Sequence, residues 1–237
     1  MSLKVELHTH TIDDPVDPIP HTATALIDRA ADLGYNALAI TLHDRQFDIT
    51  VMASHAASRN IVLIPGVERT IGGRHVLLLN FSKRAESVDS FDALARLRAA
   101  ERGLVIAPHP FFPVGCCVGR ELQQRPELFD AVEVNAMYVR GMNFNRKAIA
   151  WARDHGKPLV GNGDVHRLQQ LGRTYSLVEA ENTPDSICDA IRAGRVAVIT
   201  KPMSWYQAAS LVASIVGGSP ISPAPHKGRH QEDSSPV

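Results

Sequence analysis

Short apolar runs bounded by turn residues alternate along this chain with longer segments of helical period. That alternation constrains the fold to βα units laid into a mainly parallel sheet. The runs are Lys4–His8, Ala37–Thr41, Ile61–Gly66, Leu104–Pro108, Ala131–Asn135, Pro158–Gly161 and Tyr175–Val178, with Val196–Ile199 closing the last unit. Between them helices are expected at Thr22–Leu33, Ile49–Ser58, Ser90–Glu101, Phe144–His155 and Pro184–Ala193. In the first helix Leu26, Ile27, Ala30, Ala31 and Leu33 make one apolar stripe, and Gly34 supplies the stop. Gly72-Gly73 predicts a turn into an extra strand, His75–Phe81, outside the βα repeat.

A chain of 237 residues, 44% apolar and 21% charged, fits one soluble domain of barrel size. With 25 basic against 25 acidic residues there is no bulk attraction to nucleic acid, so an anionic ligand must be drawn in locally. Cys116, Cys117 and Cys188 make no disulfide framework, and adjacent cysteines rarely meet disulfide geometry, which points to a reducing compartment and a cytoplasmic location. The N-terminal strand does not read as a secretory signal. Trp205–Val216 is too short for a membrane span, which needs roughly 20 residues, and is read as a C-terminal helix. The expected organisation is a catalytic domain over 1–204, that helix over 205–216, and a disordered Gly-, Ser- and Pro-rich tail over 217–237. No membrane association and no obligate protein partner is expected.

Residues able to do chemistry recur at the ends of successive strands. His8 and His10 follow the first run, His43 and Asp44 the second, Glu68 the third and His109 the fourth; Glu133 and Asn135 end the fifth, and Asp164 and His166 follow the sixth. In a parallel barrel those ends share one face, where sites are assembled from separate loops. His8-Thr9-His10 puts two imidazoles on one side of an extended strand. Asp164-Val165-His166 repeats that spacing after Gly161-Asn162-Gly163, whose glycines permit close backbone approach. Pro108-His109-Pro110 restricts the backbone around an imidazole. Each residue alone has a plain alternative: a capping Asp164, a surface Glu68 paired with Arg69, a structural His43 or His75. Of the 11 histidines, however, residues 8, 10, 43, 75, 109 and 166 all lie at or beside strand termini. Imidazoles interleaved with carboxylates suit Zn, Mn or Fe. Glu133 and Asn135 are candidate supports behind the ligands, and Arg45 and Arg69 lie close to those ligands in sequence.

The motifs Glu6-Leu7-His8-Thr9-His10-Thr11, Ala39-Ile40-Thr41-Leu42-His43-Asp44, Pro65-Gly66-Val67-Glu68, Ala107-Pro108-His109-Pro110 and Gly163-Asp164-Val165-His166, in this order, resemble the PHP (polymerase and histidinol phosphatase) family over roughly residues 3–200. The resemblance implies a distorted seven-stranded (β/α)7 barrel holding two or three divalent metals. It implies that His8, His10, Glu68 and Asp164 hold one cation, that Glu68, His75 and His109 hold a second, and that His43, His166 and Asp13 or Asp14 complete a third, with Asp14 favoured. It further implies a stand-alone phosphoesterase that hydrolyses a phosphorylated small molecule or short nucleic acid through a metal-bridged hydroxide, with His43, His166 and Arg69 assisting catalysis. This chain reads Thr41-Leu42-His43 where many relatives have Thr-Asp-His, and Phe111-Phe112 where some place an arginine. An amidohydrolase-like metallohydrolase, whose members use a metal-bridging lysine, and a non-catalytic metal-stabilised PHP module are the alternatives.

Overall fold

The protein is described over residues 2–217 by a computed structural model; the expected tail lies, beyond Gly217, outside the described residues. The strands are β1 (Ser2–Glu6), β2 (Ala37–Ile40), β3 (Val62–Ile71), β4 (Arg74–Leu79), β5 (Leu104–Ala107), β6 (Ala131–Asn135), β7 (Leu159–Asn162), β8 (Thr174–Glu179) and β9 (Val196–Thr200). The helices are α1 (Ala23–Asp32), α2 (Ala53–Ser58), α3 (Phe91–Ala100), α4 (Gly119–Gln124), α5 (Asn145–Asp154), α6 (Pro184–Arg192) and α7 (Trp205–Gly217). Side chains of Thr22, Ser90 and Thr183 cap α1, α3 and α6 by accepting from Ala25, Ala93 and Ser186 N–H groups.

All nine strands form one sheet in the order β7-β6-β5-β4-β3-β2-β1-β8-β9. β1, β2 and β3 pair in parallel, as do β5, β6 and β7. β4 is antiparallel to β3 and β5, and β8 is antiparallel to β1 and β9. The α/β architecture expected from the sequence is present, but as a mixed nine-stranded sheet rather than seven parallel strands. Two local causes account for this. Gly72 and Gly73 both take positive φ, 57° and 77°, so the turn closes a tight hairpin and extends β3 to Ile71, well past Gly66. Segment 163–173 after β7 holds only a short 3-10 turn at Leu168–Gln170. A parallel return needs a crossover of a dozen or more residues, so β8 comes back antiparallel.

The curved sheet is nearly closed. Eight strands contribute to one buried cluster that includes Leu3, Val5 and Leu7 of the β1 segment, Leu77 and Leu79 of β4, Ile106 of β5 and Val160 of β7. Amphipathic α6 adds Ile187, Cys188, Ala190 and Ile191 to that interior. Asn80 and Arg102, beside the starts of the codirectional strands, bond to Asp185 and Asp189 of α6, so this helix covers the end away from the metal-binding candidates. Outer clusters seat α3 and α5 against β3 to β6, and α1 and α2 against β2 and β3. Among the described residues no helix is long and apolar enough to cross a membrane.

The end strand β7 closes against β8 and β9, and the loop after it against the segment after β1, without a continuous ladder. Gly161 N–H donates to Ser176 Oγ at 2.8 Å, and Ser176 Oγ donates to Gly161 O at 3.1 Å. A Cβ at Gly161 would lie 2.8 Å from Tyr175 O and 2.9 Å from Val198 Cγ1. One turn higher, His10 N–H donates to Val165 O and Val165 N–H to His8 O, both at 3.1 Å. Gly161→Ala is therefore expected to destabilise the fold by about 1–3 kcal/mol, the cost of overpacking a closed interior. Gly115→Ala, whose Cβ meets nothing within 4 Å, should leave stability nearly unchanged. Urea titration of both variants checks this, and equal midpoints would remove Gly161 from the closure.

Candidate metal centre

Because β1, β2, β3, β5, β6 and β7 run in one direction, the residues after them gather at one end of the sheet. His8 and His10 extend β1, His43 follows β2, and His109 and Asp164 follow β5 and β7. Glu68 lies inside β3 rather than after it, and its diagonal neighbour across the hairpin is His75 at the start of β4.

The arrangement centres on Glu68, which is 1% exposed. Its Oε2 lies 3.1 Å from His8 Nε2, 3.4 Å from His10 Nε2 and 3.3 Å from His43 Nε2. Its Oε1 lies 2.8 Å from His75 Nδ1 and 3.3 Å from His109 Nε2. One carboxylate thus divides five imidazoles into two sets. Asp164 Oδ1 adds to the first set, 3.4 Å from His8 Nε2 and 3.6 Å from His10 Nε2, and reaches His166 Nδ1 at 3.4 Å. His10 Nε2 is buried and has no hydrogen-bond partner. A buried nitrogen aimed between two carboxylates without a bond is what a cation-binding lone pair looks like in protein coordinates. His8, His10 and Glu68 hold ligand atoms within 4.8 Å of one another, as do His10, Asp164 and His166, and His10, Asp14 and His43.

In the first loop the structure places Asp14, not Asp13, at the centre. Asp14 Oδ2 lies 2.9 Å from His10 Nδ1 and 3.0 Å from His43 Nδ1, whereas the Asp13 carboxylate accepts from Thr11 Oγ1. His166 does not join Asp14; its Nε2 faces Asp17 Oδ2 at 3.0 Å. Arg69 is not brought to the cluster as a free clamp. Its Nε donates to Val88 O at 2.7 Å and its Nη1 to Asp44 at 2.5 Å. Arg45 is exposed and donates to Asp13 O.

Residues 143–196 match the profile of the PHP-associated family. A two-domain Bacteroides vulgatus protein containing a predicted PHP-like metal-dependent phosphoesterase superposes with a TM-score of 0.68 at 21% identity, covering 84% of this chain and 65% of that one. The chain shares its fold with that PHP-like protein. This chain therefore spans 65% of the length of the Bacteroides protein. An amidohydrolase from Chromobacterium violaceum, solved with sulfate and no metal, superposes with a TM-score of 0.54 at 18% identity, over 81% of this chain and 97% of that one. A lesion-specific endonuclease from Pyrococcus furiosus does so with a TM-score of 0.54 at 15% identity, over 96% and 74%. No curated protein matches the chain by sequence. The PHP resemblance carried by the five motifs is borne out.

Behind the cluster around Glu68 lies a second ring of partners. His8 Nδ1 meets Glu133 Oε1 at 2.9 Å, and Asn162 Nδ2 donates to the same oxygen at 2.9 Å. Glu133 Oε2 accepts from His109 N–H at 2.7 Å and from Asn135 Nδ2 at 3.2 Å. Glu6 accepts from Gly163 N–H at 2.9 Å, and burial pushes its pKa up to about 8 despite that bond. A Cβ on Gly163 would lie 2.7 Å from Val165 Cγ2, which accounts for a glycine there. Sequence reasoning missed Asp17, Glu6 and His21. His21 is buried, its pKa drawn down to about 4 by that burial, and it lies in the loop that also carries Asp14 and Asp17.

The charges of the ring decide how it takes up a cation. Burial alone would raise Glu68, but His8, His109 and His75 hold it well below the usual carboxylate range. Burial would discharge His8, yet Asp164, Glu68 and Glu133 outweigh it and hold its pKa well above the ordinary value. The same contest leaves His75 at about 10, with Cys116 and Glu68 opposing burial, and His166 at about 9, with Asp17 and Asp164 doing so. The neighbouring carboxylates favour the protonated forms of His8, His75 and His166, and a metal must displace those protons. Metal affinity is therefore expected to rise with pH up to about 9 to 10, by about tenfold per pH unit for each proton displaced. Calorimetry in buffers of different ionisation enthalpy measures the release; uptake without protons would contradict it. In parallel, Glu133→Gln should weaken metal binding about 10- to 100-fold by loosening His8, as read by competition with a chromophoric chelator.

Proposed function

We propose that this protein is a metal-dependent phosphoesterase, hydrolysing a phosphate ester of a nucleotide, an oligonucleotide or a small metabolite. The observation that carries the reading is the division of five imidazoles between the two oxygens of Glu68. A carboxylate so placed suits two adjacent cations, with His8, His10 and Asp164 on one side and His75 and His109 on the other. When bound, such cations acidify water and neutralise phosphoryl oxygens. Nitrogen and carboxylate donors suit Mn, Zn or Fe.

The chain's own residues would do the rest. His43 and His166 stand at the rim, held by Asp14 and Asp17, where a protonated ring can give its proton to the leaving oxygen. Asp14 with His43 and His10 also offers a third cation position, one that His166 does not join. Arg69 is tied to Asp44 and Val88, so the anion is better received by Arg120 and Lys147, which line a cavity of about 400 Å³ together with Phe111 and Phe112 beyond His109. Those cations are the local attraction that a chain of balanced charge needs. The lesion-specific endonuclease neighbour supports a nucleic-acid ester as one substrate class. Glu68 at the bridging position, in place of a lysine, favours phosphoester hydrolysis over the amidohydrolase reading.

Elemental analysis after reconstitution with Mn or Zn is expected to give at least two metal equivalents per chain, and His10→Ala should lose metal and activity together. A chelator should abolish hydrolysis in a screen of nucleoside phosphates, short oligonucleotides and sugar phosphates, with recovery on restoring metal. Less than one equivalent after reconstitution would sink the proposal. Lys147→Ala should raise KM with metal retained, whereas Arg69→Ala should lower thermal stability and leave KM unchanged.

A further inference from the structure

The loop from His109 to α4 folds back onto the start of β4. His75 N–H donates to Cys116 O at 2.8 Å, and the Arg74 guanidinium donates to Gly115 O, so the loop is pinned at two points. This brings Cys117 Sγ to 3.5 Å from His109 Nδ1. Both sulfurs and a ring nitrogen of His109 lie within 4.8 Å of one another. The two nitrogens of His109 look in different directions, Nε2 toward Glu68 and Nδ1 toward the thiols.

The geometry points to a separate cation site made by Cys116, Cys117 and His109 Nδ1, selective for a thiophilic divalent ion of the zinc class. In tetrahedral zinc, bonds of about 2.3 Å to sulfur and about 2.0 Å to nitrogen put neighbouring S and N about 3.5 Å apart. The Cys117–His109 edge already has that length. Adjacent cysteines rarely close an unstrained disulfide, so both sulfurs stay available. Cys117 also lines the cavity of about 400 Å³ beside Phe112 and Val114, which gives an ion an entry path and room for water as a fourth ligand. The competing arrangement is a Cys117 thiol that only backs the ring of His109, as Glu133 backs His8.

A neutral imidazole has one free lone pair, so a cation at the thiols turns the Nε2 of His109 into a hydrogen donor toward Glu68 Oε1. While the ring stays neutral, occupation of this site competes with coordination by Nε2 on the Glu68 side. Only this consequence rests on the phosphoesterase reading; the thiol site stands without it.

The test is titration of the reduced full-length protein with Co²⁺, followed in the near ultraviolet. Sulfur-to-cobalt charge transfer gives intense bands there that nitrogen and oxygen ligands do not. The band is expected to appear and saturate, and Cys116 and Cys117 should become protected from a thiol reagent. Double replacement, Cys116→Ser with Cys117→Ser, should remove the band and about one metal equivalent while the remaining cobalt stays bound. Weak visible bands alone, with thiols still reactive, would overturn the thiol site and leave the phosphoesterase reading intact. No cobalt binding at all would overturn both. The spectrum of the unmodified protein decides the matter even where the double variant does not fold.

Discussion

Glu68 puts a negative charge at a point that is 1% exposed, and a charge removed from water without compensation costs several kcal/mol. Much of the surrounding structure answers that cost. Five imidazoles converge on its two oxygens. Of those imidazoles, His8 is in turn held by Glu133 and Asp164, His10 by Asp14 and Asp164, and His43 by Asp14, so positive and negative groups alternate outward from the centre. Protons and metal ions compete to supply the balancing charge. The same residues that bury the carboxylate thereby make the pocket one for cations.

How far the sequence shows this differs by feature. Apolar periodicity located β2, β5, β6 and α6 to within a residue or so, because burial on a sheet face or helix stripe sets those periods. It carries no direction, and so the reversal of β8 was not visible; the shortness of segment 163–173 was the available clue. α4 is only six residues long, flanked by irregular loop, and offers too few turns for a helical period to register. Strand-end position located the histidines, and the first-loop motif narrowed its carboxylate to two aspartates. Asp17 escaped because a loop has no period to mark which residues turn inward. Arg69 shows an error that elementary geometry could have prevented. Successive side chains on a strand face opposite ways, so the residue after an inward Glu68 turns away from it and bonds to Val88 and Asp44.

Asp44, His109 and Asp164 are three of only five non-glycine residues with positive φ among the described residues, at 55°, 29° and 48°. Such conformations cost about 1–3 kcal/mol each and persist where neighbours over-determine them. His109 sits between Pro108 and Pro110, Asp164 follows Gly163, and the Asp44 side chain is fixed by Thr70 N–H and Arg69. The strain lies at the rim of the candidate metal centre, where the backbone turns beside His43, His109 and Asp164.

The bonds that shut the sheet also bear on the order in which the molecule is made. Leu7 N–H reaches Asn162 across 155 positions, and Gly163 N–H reaches Glu6 across 157. Contacts so far apart in sequence form late, after most of the chain-entropy loss has been met. The histidine pair near the start of the chain leaves the ribosome long before its aspartate partner exists. The full set of candidate ligands therefore comes together only once that junction has closed. By mass action a cation held by that set would stabilise the completed state over its precursors, which would tie the amount of folded protein to metal supply.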